Sequence, residues 1–123
     1  MAERRLAGCR ILVVEDEYLL ADELRSELAD AGAVVLGPVG TLGDAVDLIL
    51  SGQPIDGAVL DVNLHGEMAF PAADLLVERG LPLVFTTGYE ESVIPARFAA
   101  IPRCEKPVKA ARVAQAIGQA MQP

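Results

Sequence analysis

Short, wholly apolar runs alternate along this chain with longer stretches in which apolar residues recur every three or four positions. Ile11-Leu12-Val13-Val14 is the first such run and ends abruptly at Glu15-Asp16-Glu17. A brief run rich in β-branched residues, with no polar alternation, predicts a strand buried on both faces. Leu20, Leu24 and Leu28 follow at helical spacing among Asp22, Glu23, Arg25 and Glu27, and Gly32 supplies the stop. The unit then recurs. Val34-Val35-Leu36 reads as a strand, Thr41 as an N-cap, and Ala45, Leu48 and Ile49 as an apolar stripe that ends near Gly52 and Pro54. Ala58-Val59-Leu60 is a third strand, followed by a loop and a helix from Phe70 to Arg79; Leu83-Val84-Phe85 is a fourth. Ile101 to Cys104 makes a weak fifth strand and Val108 to Met121 a final amphipathic helix. Between Tyr89 and Ala100, Pro95 interrupts a poorly patterned stretch, which predicts a short or irregular helix. Strands alternating with helices predict an α/β fold of βαβ units, with a parallel sheet and right-handed crossovers. No repeat, low-complexity segment or flexible linker divides residues 1–123, so one domain is expected.

Composition narrows the function classes. The chain is 52% hydrophobic with 4% aromatic residues, so its core must rest on Leu, Val, Ile and Ala. A net charge of -8 argues against sequence-independent binding to nucleic acid. No apolar run approaches the ~20 residues of a membrane helix, and Glu3, Arg4 and Arg5 are unlike a signal peptide. Cys9 and Cys104 match no metal spacing and read as reduced thiols. A cytoplasmic protein with no membrane or nucleic-acid partner is expected.

The polar residues that interrupt the pattern carry the chemistry. Glu15 and Asp16 follow the first strand, Asp61 the third, Thr86 and Thr87 the fourth, and Lys106 the fifth. In an open parallel sheet the carboxyl ends of the strands share one edge, where ligands bind. Residues from 15 to 106 are thereby expected to converge on one crevice. Mg²⁺ takes hard oxygen ligands, and Glu15, Asp16, Asp61 and the Asn63 carbonyl could supply them. Three carboxylates without a cation would raise one another's pKa. Asp61 would then be the nucleophile toward phosphorus, with Lys106 and the Thr87 hydroxyl on the phosphoryl oxygens and the Asn63 and Gly88 N–H groups assisting. Pro107 admits a cis bond after Lys106. Glu17 reads as a charge at a helix start, and the single histidine, His65, as a solvated loop residue with no role.

Val13-Val14-Glu15-Asp16-Glu17, Val59-Leu60-Asp61-Val62-Asn63-Leu64, Phe85-Thr86-Thr87-Gly88-Tyr89 and Glu105-Lys106-Pro107 together resemble the receiver domain of bacterial two-component response regulators. The resemblance spans essentially the whole chain. It implies a flavodoxin-like (CheY-like) doubly wound sheet of five parallel strands, order 2-1-3-4-5, with helices on both faces. It further implies Mg²⁺-dependent phosphorylation of Asp61 by a sensor histidine kinase or phosphotransfer protein, a downstream protein partner, and a monomer or weak dimer. Asp61-Val62-Asn63-Leu64 and the run from Leu81 to Glu90 resemble the FAT GUY subgroup of receivers, with Thr86 where that subgroup usually has alanine. The fifth-strand position that carries an aromatic switch residue in most receivers is Arg103 here, and Tyr89 is the candidate substitute.

Such a domain is a switch rather than a turnover enzyme. A haloacid-dehalogenase-like phosphatase would also use an aspartyl-phosphate and Mg²⁺, but it wants an acid two residues after the nucleophile, and that position is Asn63. A pseudo-receiver that binds partners without phosphorylation would not need Asp16, Asp61, Thr87 and Lys106 together. A receiver belonging to a hybrid kinase or larger regulator would share all of these motifs.

Overall fold

The computed structural model describes residues 6–88 and 94–122. Five parallel strands form the main sheet: β1 (Arg10–Val14), β2 (Val34–Val39), β3 (Gly57–Asp61), β6 (Leu83–Thr87) and β7 (Arg103–Glu105). Their order is β2-β1-β3-β6-β7, which is 2-1-3-4-5 when the five are counted alone. Two two-residue strands, β4 (Asn63–Leu64) and β5 (Glu67–Met68), form a separate antiparallel hairpin just beyond β3. The helices are α1 (Tyr18–Asp30), α2 (Leu42–Leu50), α3 (Phe70–Glu78) and α4 (Ala110–Ala120), and a 3-10 turn spans Ala96–Phe98. Within the stretch that Pro95 interrupts, this turn is the only helical element among the described residues.

Unbroken apolar strands are needed because both faces of the sheet are covered. Leu12 and Val14 of β1, Ala58 and Leu60 of β3, and Leu83 and Phe85 of β6 pack toward α2 and α3. The alternate residues Ile11, Val13, Val59 and Val84 pack with Leu24 and Leu28 of α1 and Val113 and Ile117 of α4. The two-residue period of the strand thus divides one core into two, with no solvent face left for polar residues. Among the described residues no helix is long and apolar enough to cross a membrane.

Local chemistry sets the element ends. Thr41 Oγ1 accepts from the Asp44 N–H at 3.1 Å and caps α2. After α1 the chain turns at Gly32 with φ +95°, and a Cβ there would lie 2.9 Å from the Ala7 Cα, so both conformation and space call for glycine. β2 runs three residues past the apolar run that predicted it, through Gly37 and Pro38 to Val39. β6 runs two past, so Thr86 and Thr87 belong to the strand. The last strand is Arg103–Glu105 rather than Ile101–Cys104.

Aromatic packing ties the segment after β6 to the body. Phe98 is 1% exposed, stacks on Phe70 at 5.6 Å and meets Phe85 edge-on at 5.7 Å. Beside it the Arg97 guanidinium donates two hydrogen bonds of 2.9 Å to the Asp74 carboxylate of α3. Phe98→Ala is expected to lower the unfolding free energy by about 3–5 kcal/mol, the range for deleting a buried aromatic. Urea denaturation measures it, and a loss under about 1 kcal/mol would show that Phe98 does not anchor this segment.

Candidate functional site

Strand order places the site. β1 and β3 are neighbours at the centre of the sheet, and the chain leaves them in opposite directions, to β2 on one side and β6 on the other. Carboxyl-terminal strand ends diverge into a crevice at such a point. Glu15 and Asp16 leave the end of β1 there, Asp61 closes β3, Thr86 and Thr87 close β6, and Lys106 follows β7. Carboxylate oxygens of Glu15, Asp16 and Asp61 lie within 4.8 Å of one another. Sequence spacing had put these residues together, and the fold does so.

Lys106 is the hub of the crevice. Its Nζ donates to Glu15 Oε2 at 3.0 Å, Glu17 Oε2 at 2.9 Å and Asp61 Oδ2 at 2.9 Å, which uses all three ammonium protons. Its backbone N–H donates to the Thr87 carbonyl at 2.7 Å, so β6 fixes where the lysine starts. The Lys106–Pro107 peptide is cis. Burial alone would lower the lysine's pKa, but its hydrogen bonds to Glu17, Asp61 and Glu15 outweigh that and raise it. The ammonium therefore stays charged.

The acids are held from the other side by backbone donors. Asp61 Oδ1 accepts from the Asn63 N–H at 3.1 Å, and Glu15 Oε2 from the Glu17 N–H at 3.1 Å. Glu15 Oε1 lies 3.4 Å from the donating Thr86 hydroxyl. Asp16 Oδ2 accepts from the His65 N–H at 2.9 Å, with the imidazole Nδ1 at 3.4 Å. Burial and then the charge of Glu15 push the Asp61 carboxyl up to about 8, against the pull of Lys106. For Asp16, burial raises the pKa, but Asp61, the charge and N–H of His65, and Glu15 outweigh it and bring it below the usual carboxylate range. Two neighbouring carboxyls are thus driven apart in acidity by their surroundings.

Thr87 differs from its neighbour. Its hydroxyl is buried and has no hydrogen-bond partner among the described residues. A buried hydroxyl without a partner costs free energy, and this one is free to donate to an oxygen that enters the crevice. Gly88 lines an open groove with Glu17, Leu20, Lys106 and Pro107. Tyr89 lies outside the described residues.

Three contacts escape sequence reasoning. Glu17 spends its carboxylate on Lys106 rather than on capping α1, where its side chain makes no cap hydrogen bond. His65 touches Asp16 although its side chain is 78% exposed. Thr86, noted only for its strand position, bonds Glu15 across the β1–β6 gap. Only the last had a signal, a polar residue at the end of an apolar strand. Cys9 and Cys104 are both free thiols.

A divalent cation bound at these carboxylates would have to displace the Asp61 proton, so its affinity would depend on pH. Asp61 titrates well above its ordinary value, so the apparent Mg²⁺ association constant should rise as pH goes from 6 to 8, by at most about tenfold per unit, and level off above. Calorimetric titrations across that range measure it; a flat profile would place the proton elsewhere. Folding follows the opposite sign. Protonated Asp61 is tolerated below its unfolded pKa, and stability is lost as pH rises toward 8. The metal-free Asp61→Asn protein should accordingly melt above wild type at pH 8, with the gap closing toward pH 4.

No protein-family model and no curated protein sequence matches the chain. Solved structures do. SdrG from Sphingomonas melonis Fr1 is 36% identical with a TM-score of 0.79, over 94% of this chain and 98% of that one. A BeF3-activated conformation of SdrG, described from Pseudomonas melonis Fr1, is 34% identical with a TM-score of 0.73, over 99% of this chain and 100% of that one. A response regulator receiver protein from Sinorhizobium medicae WSM419 is 28% identical with a TM-score of 0.78, over 93% and 94%. With this fold, this crevice and identity above 30% across nearly its full length, the chain belongs to the response regulator receiver family.

Proposed function

We propose that this receiver is a phosphoacceptor switch of a two-component or phosphorelay pathway, of the FAT GUY subgroup, in which Asp61 takes a phosphoryl group from a histidine kinase or phosphotransfer protein. The observation that carries the reading is the placement of Asp61. Its carboxylate sits among Glu15, Asp16 and a charged Lys106, near the end of the strand that holds an unsatisfied Thr87 hydroxyl. A structural salt bridge would need neither the extra acids nor the orphaned hydroxyl.

The donor set fits Mg²⁺, since the acidic group offers hard oxygens. Glu15, Asp16 and Asp61 would hold the ion with the Asn63 carbonyl, and when bound it neutralises charge on the carboxylates and phosphoryl oxygens. Asp61, ionised, attacks phosphorus with a carboxylate oxygen. The new O–P bond forms as the P–N bond to the donor imidazole breaks, and the imidazole nitrogen keeps the electron pair. Lys106 shifts from carboxylates to a phosphoryl oxygen, while the Thr87 hydroxyl and the N–H groups of Asn63 and Gly88 donate to others. The site forms and slowly loses its own phosphoryl group and turns over no free substrate. Asn63 leaves the phosphatase reading without its second acid, and the intact quartet of Asp16, Asp61, Thr87 and Lys106 leaves the pseudo-receiver without an explanation.

Tyr18 and Leu19, 85% and 71% exposed at the start of α1, offer apolar surface beside the crevice for a protein donor or target. The phosphoryl group brings up to about two negative charges, and a change in partner binding or onward phosphotransfer would follow from its contacts. A chain acting alone in the cytoplasm and one forming part of a larger regulator would use the same chemistry.

Incubation with acetyl phosphate and Mg²⁺, read by intact-mass spectrometry, should add one phosphoryl group to wild type and none to Asp61→Asn or to wild type with chelator. An adduct on Asp61→Asn would place the acceptor elsewhere. Thr87→Val should match or exceed wild-type stability, since an unpaired hydroxyl is removed, yet take up phosphate about tenfold more slowly or worse. Equal rates would leave Thr87 outside the chemistry.

A further inference from the structure

The geometry points to the His65–Gly66 turn as the device that holds Asp16 in position for the cation, acting through the His65 backbone amide rather than its imidazole. This inference rests on the divalent-cation site proposed above and assigns one of its determinants.

The turn lies between β4 and β5, where Leu64 pairs with Glu67, so His65 and Gly66 are the two central residues of a two-residue hairpin. Both have positive φ, 53° and 90°, as a type I′ turn requires. His65 is the one described non-glycine residue with positive φ. That conformation disfavours side chains in general, while histidine accepts it more readily than most. Gly66 closes the turn by donating its N–H to Asn63 Oδ1 at 2.6 Å.

The unusual backbone has a consequence 49 positions away in the sequence. The His65 N–H points out of the hairpin and donates to Asp16 Oδ2 at 2.9 Å. Asp16 is the acid of the cluster that Lys106 does not touch; the ammonium serves Glu15, Glu17 and Asp61. With one oxygen fixed by the turn, the other is left to face the cation. Donors that orient a ligand in this way commonly set metal affinity within a factor of about 10–100.

The hairpin further ties β3 to α3. The Ala69 N–H donates to the Val62 carbonyl at 2.8 Å, returning the chain to the end of β3 before α3 begins. The turn is therefore anchored at both feet, on Asp61's own strand and on the helix behind it, and the reach to Asp16 is a fixed bridge between β1 and β3.

Two substitutions separate the amide from the side chain. His65→Gly keeps the N–H and relieves the left-handed backbone; His65→Val keeps an N–H but disfavours the conformation that aims it. Mg²⁺ titrated calorimetrically into each protein, with folding checked by circular dichroism in chelator, should show His65→Gly within about twofold of wild type and His65→Val weaker by about tenfold or more. A His65→Val protein that melts lower but binds Mg²⁺ as wild type does would make the turn merely structural and overturn the proposal. Equal losses in both variants would transfer the role to the imidazole and overturn it as well. Absence of Mg²⁺ binding by wild type would instead sink the cation site, and with it the function proposed above.

Discussion

Everything around the crevice depends on one lysine shared by three carboxylates. Glu15 and Asp61 are 3% and 4% exposed, and buried carboxylates of like charge repel strongly unless a cation stands between them. The Lys106 ammonium is that cation, and its three protons are all committed. It cannot satisfy the site completely, because Asp61 stays hard to ionise and Asp16 lies beyond its reach. The remaining negative potential makes the crevice receptive to a divalent ion.

The fold exists to bring these groups together. Glu15 and Lys106 are 91 positions apart, and no local structure could join them. Parallel strands align their carboxyl ends, and alternate residues of each strand anchor to opposite helix layers, so strand ends cannot slide without exposing apolar surface. Register is thereby converted into the placement of the carboxylate oxygens at the crevice. Beyond β6, Phe98 packs against Phe85, two residues before Thr87, while the β7 position opposite Phe85 is Arg103. No aromatic residue stands on β7. The aromatic contact that links the site strand to the segment after it runs instead through Phe85 and Phe98.

The central strands, the helix stripes and the convergence of Glu15, Asp16, Asp61, Thr87 and Lys106 at the strand ends were legible because burial on both faces leaves a plain apolar run, and a polar residue at its end stands out. What stayed hidden has physical reasons. The last two residues of β6 are threonines, which read as loop chemistry but hold strand hydrogen bonds. The β4–β5 hairpin has two residues per strand, too few for any periodicity, and its His65–Gly66 turn lacks the usual asparagine. Glu17 looked like a helix-start charge because its partner, Lys106, is 89 positions away. Tyr89, read as a stand-in for the missing ring, lies outside the described residues.

In balancing the acids, Lys106 substitutes in part for a divalent ion. Thermal melting of Lys106→Met with chelator and with excess Mg²⁺ tests that role most directly. Without metal the variant should be less stable than wild type by roughly 1–3 kcal/mol, and Mg²⁺ should raise its melting temperature by more than it raises that of wild type. A variant as stable as wild type in chelator, or one that gains nothing extra from Mg²⁺, would show that the acids do not depend on the lysine's charge and would contradict the role assigned to it.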